Sequence, residues 1–400
     1  RHLIVLSGIE STANDLQEIS SLTQDKVNLI QTLLNQGGLK NYNYLLQIFE
    51  NLIDFEDINL DSDLIEYHGE LIKWKWKKNH NPSIAVFLYK SLLQSGNTEL
   101  ADKIIEISNK YKLNTRIVWI TSFKSKDIQS KIINLLEEEE IKAIITTTSF
   151  SSVEYKQDDV KNNFWDLLDI PVYQLLISSS SITEWNESTV GLNPIDLSIQ
   201  VVLPELDGRI CTIPIAFKNL TYTDNDLSIS VYKTEPYDIN IEWCLKYIKN
   251  LIYLQESNNL NKKIAIVIAN YPVKDSRIAN GVGLDTPESL LNILNWLKDE
   301  GYYLGNENIP VNSKELINRI ISNRTNSDET ISNDPQSYLN IQDYLIYWKK
   351  IESITKHKIS SRWGEPLNSI QLEKDGFPIN GITFGNITIL IQANRGYEGD

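Results

Sequence analysis

The sequence predicts an α/β protein of more than one domain, built from parallel-sheet βαβ units with a β-hairpin insertion. Three observations carry this prediction. Apolar runs of strand length alternate with helical patterns from Pro82 to Ile177, as in sheets whose parallel strands are joined by right-handed crossovers. A second strand–loop–helix pattern starts at Lys263. The chain has 400 residues, 41% hydrophobic and 23% charged, enough for two or three packed domains and unlike collagen, coiled coils or disordered chains.

Residues 1–80 read as an α/β or helical lead-in, with an apolar HLIVL start and helices near Asp25–Leu34 and Asn41–Leu52. Residues 81–200 form the first parallel domain. Its strands are Ile84–Tyr89, Arg116–Thr121, Ile141–Thr146 and Val172–Ile177, and its helices are Asn97–Tyr111 and Asp127–Leu136. Ligands approach the carboxyl ends of such strands, which marks Ser91, Gln94, Ser122, Thr147, Thr148 and Ser178. In residues 201–240, two apolar runs meet at Asp207-Gly208, a dipeptide suited to a type I′ turn, and predict a β-hairpin. Residues 241–400 form the second unit: a helix Ile241–Leu254, a strand Lys263–Ala269, a helix Pro287–Lys298 capped by Thr286, a helix near Ile341–Ile354 and a strand near Gly385–Gln392. The Asn- and Ser-rich stretch 323–337 reads as a flexible insertion.

Composition excludes several functions. The net charge of −15 repels nucleic acid and anionic lipid, so an anionic ligand needs a local cation cluster. No apolar run is long enough for a membrane span. Cys211 and Cys244 offer no metal spacing or disulfide framework and fit a reducing compartment, and the four histidines are far apart. No phosphate-binding P-loop and no dinucleotide fingerprint occurs, so nucleotide hydrolysis is assigned elsewhere. The chain contains no Met, even at position 1, and is read as a fragment.

The segment Asn270–Pro287 leaves a strand at its carboxyl end and enters a capped helix. It combines two cations, two anions and two glycines, more than a crossover needs, and is read as ligand-binding. At Pro204–Arg209 a turn chosen for backbone geometry is favoured over a ligand contact. The terminal Arg395–Asp400 offers a cation, an aromatic ring and acids suited to a flat carboxylated ring.

Five ordered segments, SSSITEWNESTVGLNPIDL, VVLPELDGRI, IANYPVKDSRIANGVGLDTP, RWGEP and IQANRGYEGD, give the chain a likeness from about Pro82 onward. It resembles the large subunits of the cobaltochelatase and magnesium chelatase H family, and the third segment resembles the cobalt branch. The resemblance implies a cytoplasmic tetrapyrrole-binding subunit that inserts Co²⁺ into a corrin precursor, hydrogenobyrinic acid a,c-diamide, in cobalamin synthesis. It also implies a AAA+ ATPase and a second small subunit as partners. ATP and Mg²⁺ are used there, and no cofactor is bound by this fragment, which is expected to be inactive alone. The alternatives are the magnesium subunit acting on protoporphyrin IX, and a non-catalytic scaffold for the ATPase partners. In this light Glu205, Asp275, Asp285 and Glu398 are candidate catalytic carboxylates, acting as transient oxygen ligands and proton acceptors. Arg209, Lys274, Arg277, Asn280 and Arg395 are candidates for the ring's polar arms, and Tyr271, Trp363 and Tyr397 for its face. The metal-ligating atoms are left open.

Overall fold

The computed structural model describes residues 3–7, 19–50, 71–76, 80–152, 164–270, 275–306, 308–330 and 333–393. The chain divides into two compact units, Arg1–Tyr253 and Leu254–Asp400.

Unit 1 opens with helices α1 (Gln24–Gln36) and α2 (Leu39–Glu50), which pack on each other through Ile30, Leu33, Leu45 and Ile48. The following strands and helices are β1 (Leu71–Trp74), β2 (Ser83–Tyr89), α3 (Lys90–Gln94), α4 (Glu99–Lys110), β3 (Asn114–Ile120), α5 (Lys126–Glu138), β4 (Ile141–Thr146) and β5 (Val172–Ser178). Then come α6 (Ile182–Glu187), α7 (Pro194–Leu197), α8 (Leu203–Leu206), β6 (Ile210–Asp224), β7 (Ile229–Pro236) and α9 (Asp238–Glu256). The strands form one seven-stranded sheet in the order β1-β3-β2-β4-β5-β6-β7. From β3 to β6 all neighbours are parallel, whereas β1 and β7 add antiparallel edges. Numbered among themselves, the five parallel strands follow the doubly wound order 2-1-3-4-5, with the switch point between β2 and β4.

The continuous apolar character of these strands follows from burial on both faces. On one face Ile84, Val86, Ile117 and Trp119 pack with Leu100 and Ile104 of α4 and Leu245 and Ile248 of α9. On the other, Phe87, Val118 and Ile144 pack with Ile128 and Ile132 of α5 and with Phe164 and Trp165. Helix α9, read from the sequence as the start of the second unit, is therefore a layer of the first. Burial of Ile241, Cys244 and Ile252 in the same cluster fixes it there.

The hairpin expected at Asp207-Gly208 is corrected. Residues 194–206 are helical, with a π-turn over Ser198–Val202 leading into α8 at Leu203-Pro204. Gly208 has φ 76°, as a glycine after a helix end requires, while Asp207 remains right-handed at φ −82°. The hairpin lies one strand later, between β6 and β7, where Asp224 accepts from Leu227 N at 2.9 Å.

Unit 2 contains β8 (Ile264–Ile268), α10 (Thr286–Asp299), α11 (Ser313–Ser322), β9 (Ser337–Asn340), α12 (Ile341–Lys350), α13 (Ser353–Trp363), β10 (Gly376–Ile379), β11 (Gly381–Phe384) and β12 (Ile387–Ile391). β12 pairs in parallel with β8 and antiparallel with β11; β9 and β10 form a separate ladder. Ile268, Leu290, Leu294, Leu316, Ile320 and Ile389 belong to its core. The cap of α10 is Asp285, not Thr286: its side chain accepts from Glu288 N at 3.1 Å.

The described part of the stretch expected to be a flexible insertion is packed. Arg324 donates through both terminal nitrogens to Glu373, each at 2.7 Å, which holds the Glu373 carboxyl below its ordinary range. Thr325 is buried and bonds both Thr330 and Asp275. Its polar composition supplies internal hydrogen bonds.

Candidate functional site

In unit 1 the strand ends are shaped by two buried aspartates, each within one of the segments singled out in the sequence. Asn193 caps α7 by accepting from Ile195 N and Asp196 N, and Pro194 presets the first turn. Asp196 then accepts from Ser179 N at 2.7 Å, from Ser179 Oγ at 2.8 Å and from Gln200 Nε2 at 3.1 Å. Gln200 in turn pairs with both backbone groups of Ile177. This helical segment is thereby tied to the carboxyl end of β5.

Asp207 does the same for β4. It accepts from Ser151 Oγ at 2.5 Å, from Ser152 N at 2.7 Å and from Arg209 at 2.7 Å. Arg209 also donates to Thr148 O, Gln174 Oε1 and Phe150 O, and lies over the rings of Phe123 and Trp165. Its side chain is 1% exposed and that of Asp207 0%. Burial lowers the guanidinium pKa, and Asp207 opposes the shift. Beside them a pocket of 110 Å³ opens at the ends of β2, β3 and β4, among them Ser122 and Thr148, which the strand-end rule had marked. Glu205, by contrast, is exposed on α8.

In unit 2 the in-register pair Ile268↔Ile391 means that β8 and β12 end side by side, with Gln392 N donating to Ile268 O at 2.9 Å. Segments over 100 positions apart in sequence thus leave the sheet from adjacent strands, about 5 Å apart. The β8 loop folds back on its own strand: Ala279 N donates to Ala269 O at 2.8 Å, and Ile278 and Ala279 are buried. Ala279 has φ 59°, an uncommon conformation for a residue with a Cβ and one that concentrates at ligand clamps. With those two turned inward, Arg277, Asn280, Val282 and Leu284 are left exposed. Arg277 forms no ion pair among the described residues. Asp275 is half-buried and held at one oxygen by Thr325 Oγ1 at 2.8 Å, while Asp285 is committed to the α10 cap.

Sequence reasoning missed three groups at this end. Asn270 is 3% exposed and neither its amide nitrogen nor its oxygen has a hydrogen-bond partner, a state that buried amides avoid. Asn326 donates to Gln392 O and accepts from Asn380, tying down the chain at the end of β12. Asn380 Oδ1 is also buried and unpartnered. Asn270 had a signal, as the first residue after the predicted strand and the start of the segment read as ligand-binding; Asn326 and Asn380 had none.

The candidates divide between the units. Glu205 and Arg209 belong to unit 1; Asp275, Arg277, Asn280, Asp285 and Trp363 belong to unit 2. Trp363 ends α13, half exposed, with Arg362 over its ring at 4.7 Å. Tyr271, Lys274, Arg395, Tyr397 and Glu398 lie outside the described residues. Among the described residues, no group of three or more His, Cys, Asp or Glu side chains could hold a metal ion, and no helix is long and apolar enough to cross a membrane.

A doubly wound sheet, followed by a second α/β unit in which the parallel strands β8 and β12 end side by side, defines a two-unit α/β protein. The chain belongs to the CobN/Magnesium Chelatase family, whose model matches residues 31–400. It is 28% identical over 410 residues to the aerobic cobaltochelatase subunit CobN of Pseudomonas aeruginosa, covering 100% of this chain and 32% of that protein. The chloroplastic magnesium-chelatase subunit ChlH of Oryza sativa subsp. indica is 27% identical over 266 residues, 65% of this chain and 18% of that one. A structure of the catalytic subunit of cobaltochelatase from Mycobacterium tuberculosis shares the fold, with a TM-score of 0.76 at 20% identity over 97% of this chain and 32% of that one. The chain thus spans about a third of the length of the cobaltochelatase relatives.

Proposed function

We propose that this chain is the ring-binding part of a tetrapyrrole metal chelatase large subunit, and that its ring is the corrin precursor of the cobalt branch. The observation that carries this reading is the side-by-side ending of the parallel strands β8 and β12, which begin two of the segments on which the family resemblance rests. Exposed Arg277 and Asn280 supply donors to peripheral carboxylates and amides, and the unpartnered Asn270 offers a donor and an acceptor. Asp275 and Asp285 each have one carboxylate oxygen engaged, by Thr325 and by the α10 cap, and the other oxygen of each would serve as proton acceptor or transient oxygen ligand as Co²⁺ displaces the ring N–H protons. The cobalt reading draws support from the whole-chain match to CobN, against 65% of the chain for ChlH. Without a P-loop of its own, the chain takes its energy from partner subunits, one an AAA+ ATPase; metallation, in the cytoplasm, belongs to that longer assembly.

Absorbance titration of the full-length protein with hydrogenobyrinic acid a,c-diamide and, in parallel, protoporphyrin IX tests the reading. Arg277→Ala is expected to weaken corrin binding about tenfold, the loss of one charge-assisted hydrogen bond. Binding of protoporphyrin alone would transfer the chain to the magnesium branch, and an absence of response to both rings would leave only the scaffold role. Corrin affinity unchanged in Arg277→Ala would remove that residue from the site.

A further inference from the structure

We propose that unit 1 carries a second, separate binding site for a small oxyanion, in the pocket at the carboxyl ends of β2, β3 and β4. The inference does not rest on the ring-binding reading of unit 2.

Position is the first argument. Tyr89 ends β2 and Thr148 follows β4, so the pocket lies at the switch point of the 2-1-3-4-5 sheet, where crossovers diverge and leave a crevice. Size is the second. At roughly 30 Å³ per water, 110 Å³ accommodates three or four waters, or one carboxylate or phosphate group.

Chemistry is the third. The wall includes the hydroxyl residues Thr121, Ser122, Ser149 and Ser151 and the cations Lys124 and Arg209. Arg209 spends its terminal N–H groups on Thr148, Gln174, Phe150 and Asp207, but its Nε–H, buried, has no acceptor. A buried guanidinium N–H is costly to leave unmade, and an anionic oxygen is its strongest acceptor. Asp207, the carboxylate nearest to this cation, accepts from Arg209, Ser151 and Ser152 and does not line the pocket. Lys124 is exposed and forms no ion pair among the described residues. The Tyr89 phenol, whose pKa burial raises, remains a neutral donor, bonded to Ser149 O at 3.1 Å. Phe150 in this wall has φ 65°, strain of the kind held at ligand clamps. Among the described residues no acidic side chain lines the cavity, and the cations Lys124 and Arg209 do, a local balance that favours an anion in a molecule that is acidic overall.

The shared chemistry is a compact group of anionic oxygens, presented either by free phosphate or by the carboxylate arm of a larger organic acid. Isothermal titration of the 400-residue chain with inorganic phosphate, and separately with acetate, distinguishes them. Saturable one-site binding of at least one is expected, weakened about fivefold by Lys124→Ala, the effect of one exposed charge. Ser122→Ala is expected to weaken it in the same direction, and Lys131→Ala, on the outer face of α5, to leave it unchanged. Phosphate binding without acetate binding identifies the free ion, and the reverse identifies the carboxylate arm. An absence of saturable heat with either anion, or an affinity indifferent to both Lys124→Ala and Ser122→Ala, overturns the proposal. Arg209 is left intact in these variants because it holds the β4 loop.

Discussion

Arg209→Ala is expected to cost unit 1 about 3–5 kcal/mol, the penalty for removing one partner of a buried ion pair. The cation and Asp207 are both sealed from solvent. Truncation leaves Asp207 buried without its cation and strips Thr148 O, Gln174 and Phe150 O of their donor. Against a total stability of about 5–15 kcal/mol, such a loss is a large fraction. It reads out in urea unfolding as a lowered midpoint with an unchanged slope. Arg209→Lys is not expected to rescue, because an ammonium group cannot serve acceptors spread around a planar fork. Replacing both charges by apolar residues is expected to recover part of the loss. A cost below about 1 kcal/mol for Arg209→Ala, the range of an exposed pair, would show that the pair does not hold the loop.

Gly381→Ala is expected to disrupt unit 2 by at least about 3 kcal/mol, because it combines a steric and a backbone penalty. Gly381 has φ 139°, and a Cβ there would sit 2.0 Å from Ile389 O. The carbonyl belongs to β12, the strand that delivers Gln392 to the candidate site, so the clash is with backbone and has no rotamer to relieve it. The expected signature is faster amide exchange of Ile387–Ile391, with weakened ring binding as its functional consequence. Protection of those amides at wild-type levels would show that the β11–β12 pair tolerates the change.

Much of the architecture was legible because burial on both faces writes itself as continuous apolar runs. Ile84–Tyr89 and Ile141–Thr146 correspond to β2 and β4 within a residue, and Asp127–Leu136 to α5 within two. The errors share a cause, since they occur where local pattern and tertiary context compete. Gln200–Leu206 is apolar enough to suggest a strand, but Asn193-Pro194 starts a helix upstream and Gln200 anchors it against β5. Residues 323–337 are polar enough to suggest a flexible loop, yet Arg324, Thr325 and Asn326 spend that polarity on internal bonds. For the site, the strand-end rule marked Ser91, Gln94, Ser122, Thr147, Thr148 and Ser178, of which Ser122 and Thr148 line the unit 1 pocket, and it singled out the β8 loop. It could not show that Asn270 would lose every partner, or that Asp207 and Arg209 would neutralise one another inside the protein. Those outcomes depend on packing between segments distant in sequence.

The Asp196 and Asp207 latches also bear on how chains of this kind should be compared. Buried side chains of this sort answer to the geometry of their own surroundings, so any chain adopting this architecture has reason to keep them. Likeness confined to such positions groups proteins by scaffold. Positions such as Arg277 and Asn280, which face solvent, answer to no such internal geometry, and differences between relatives are more informative there.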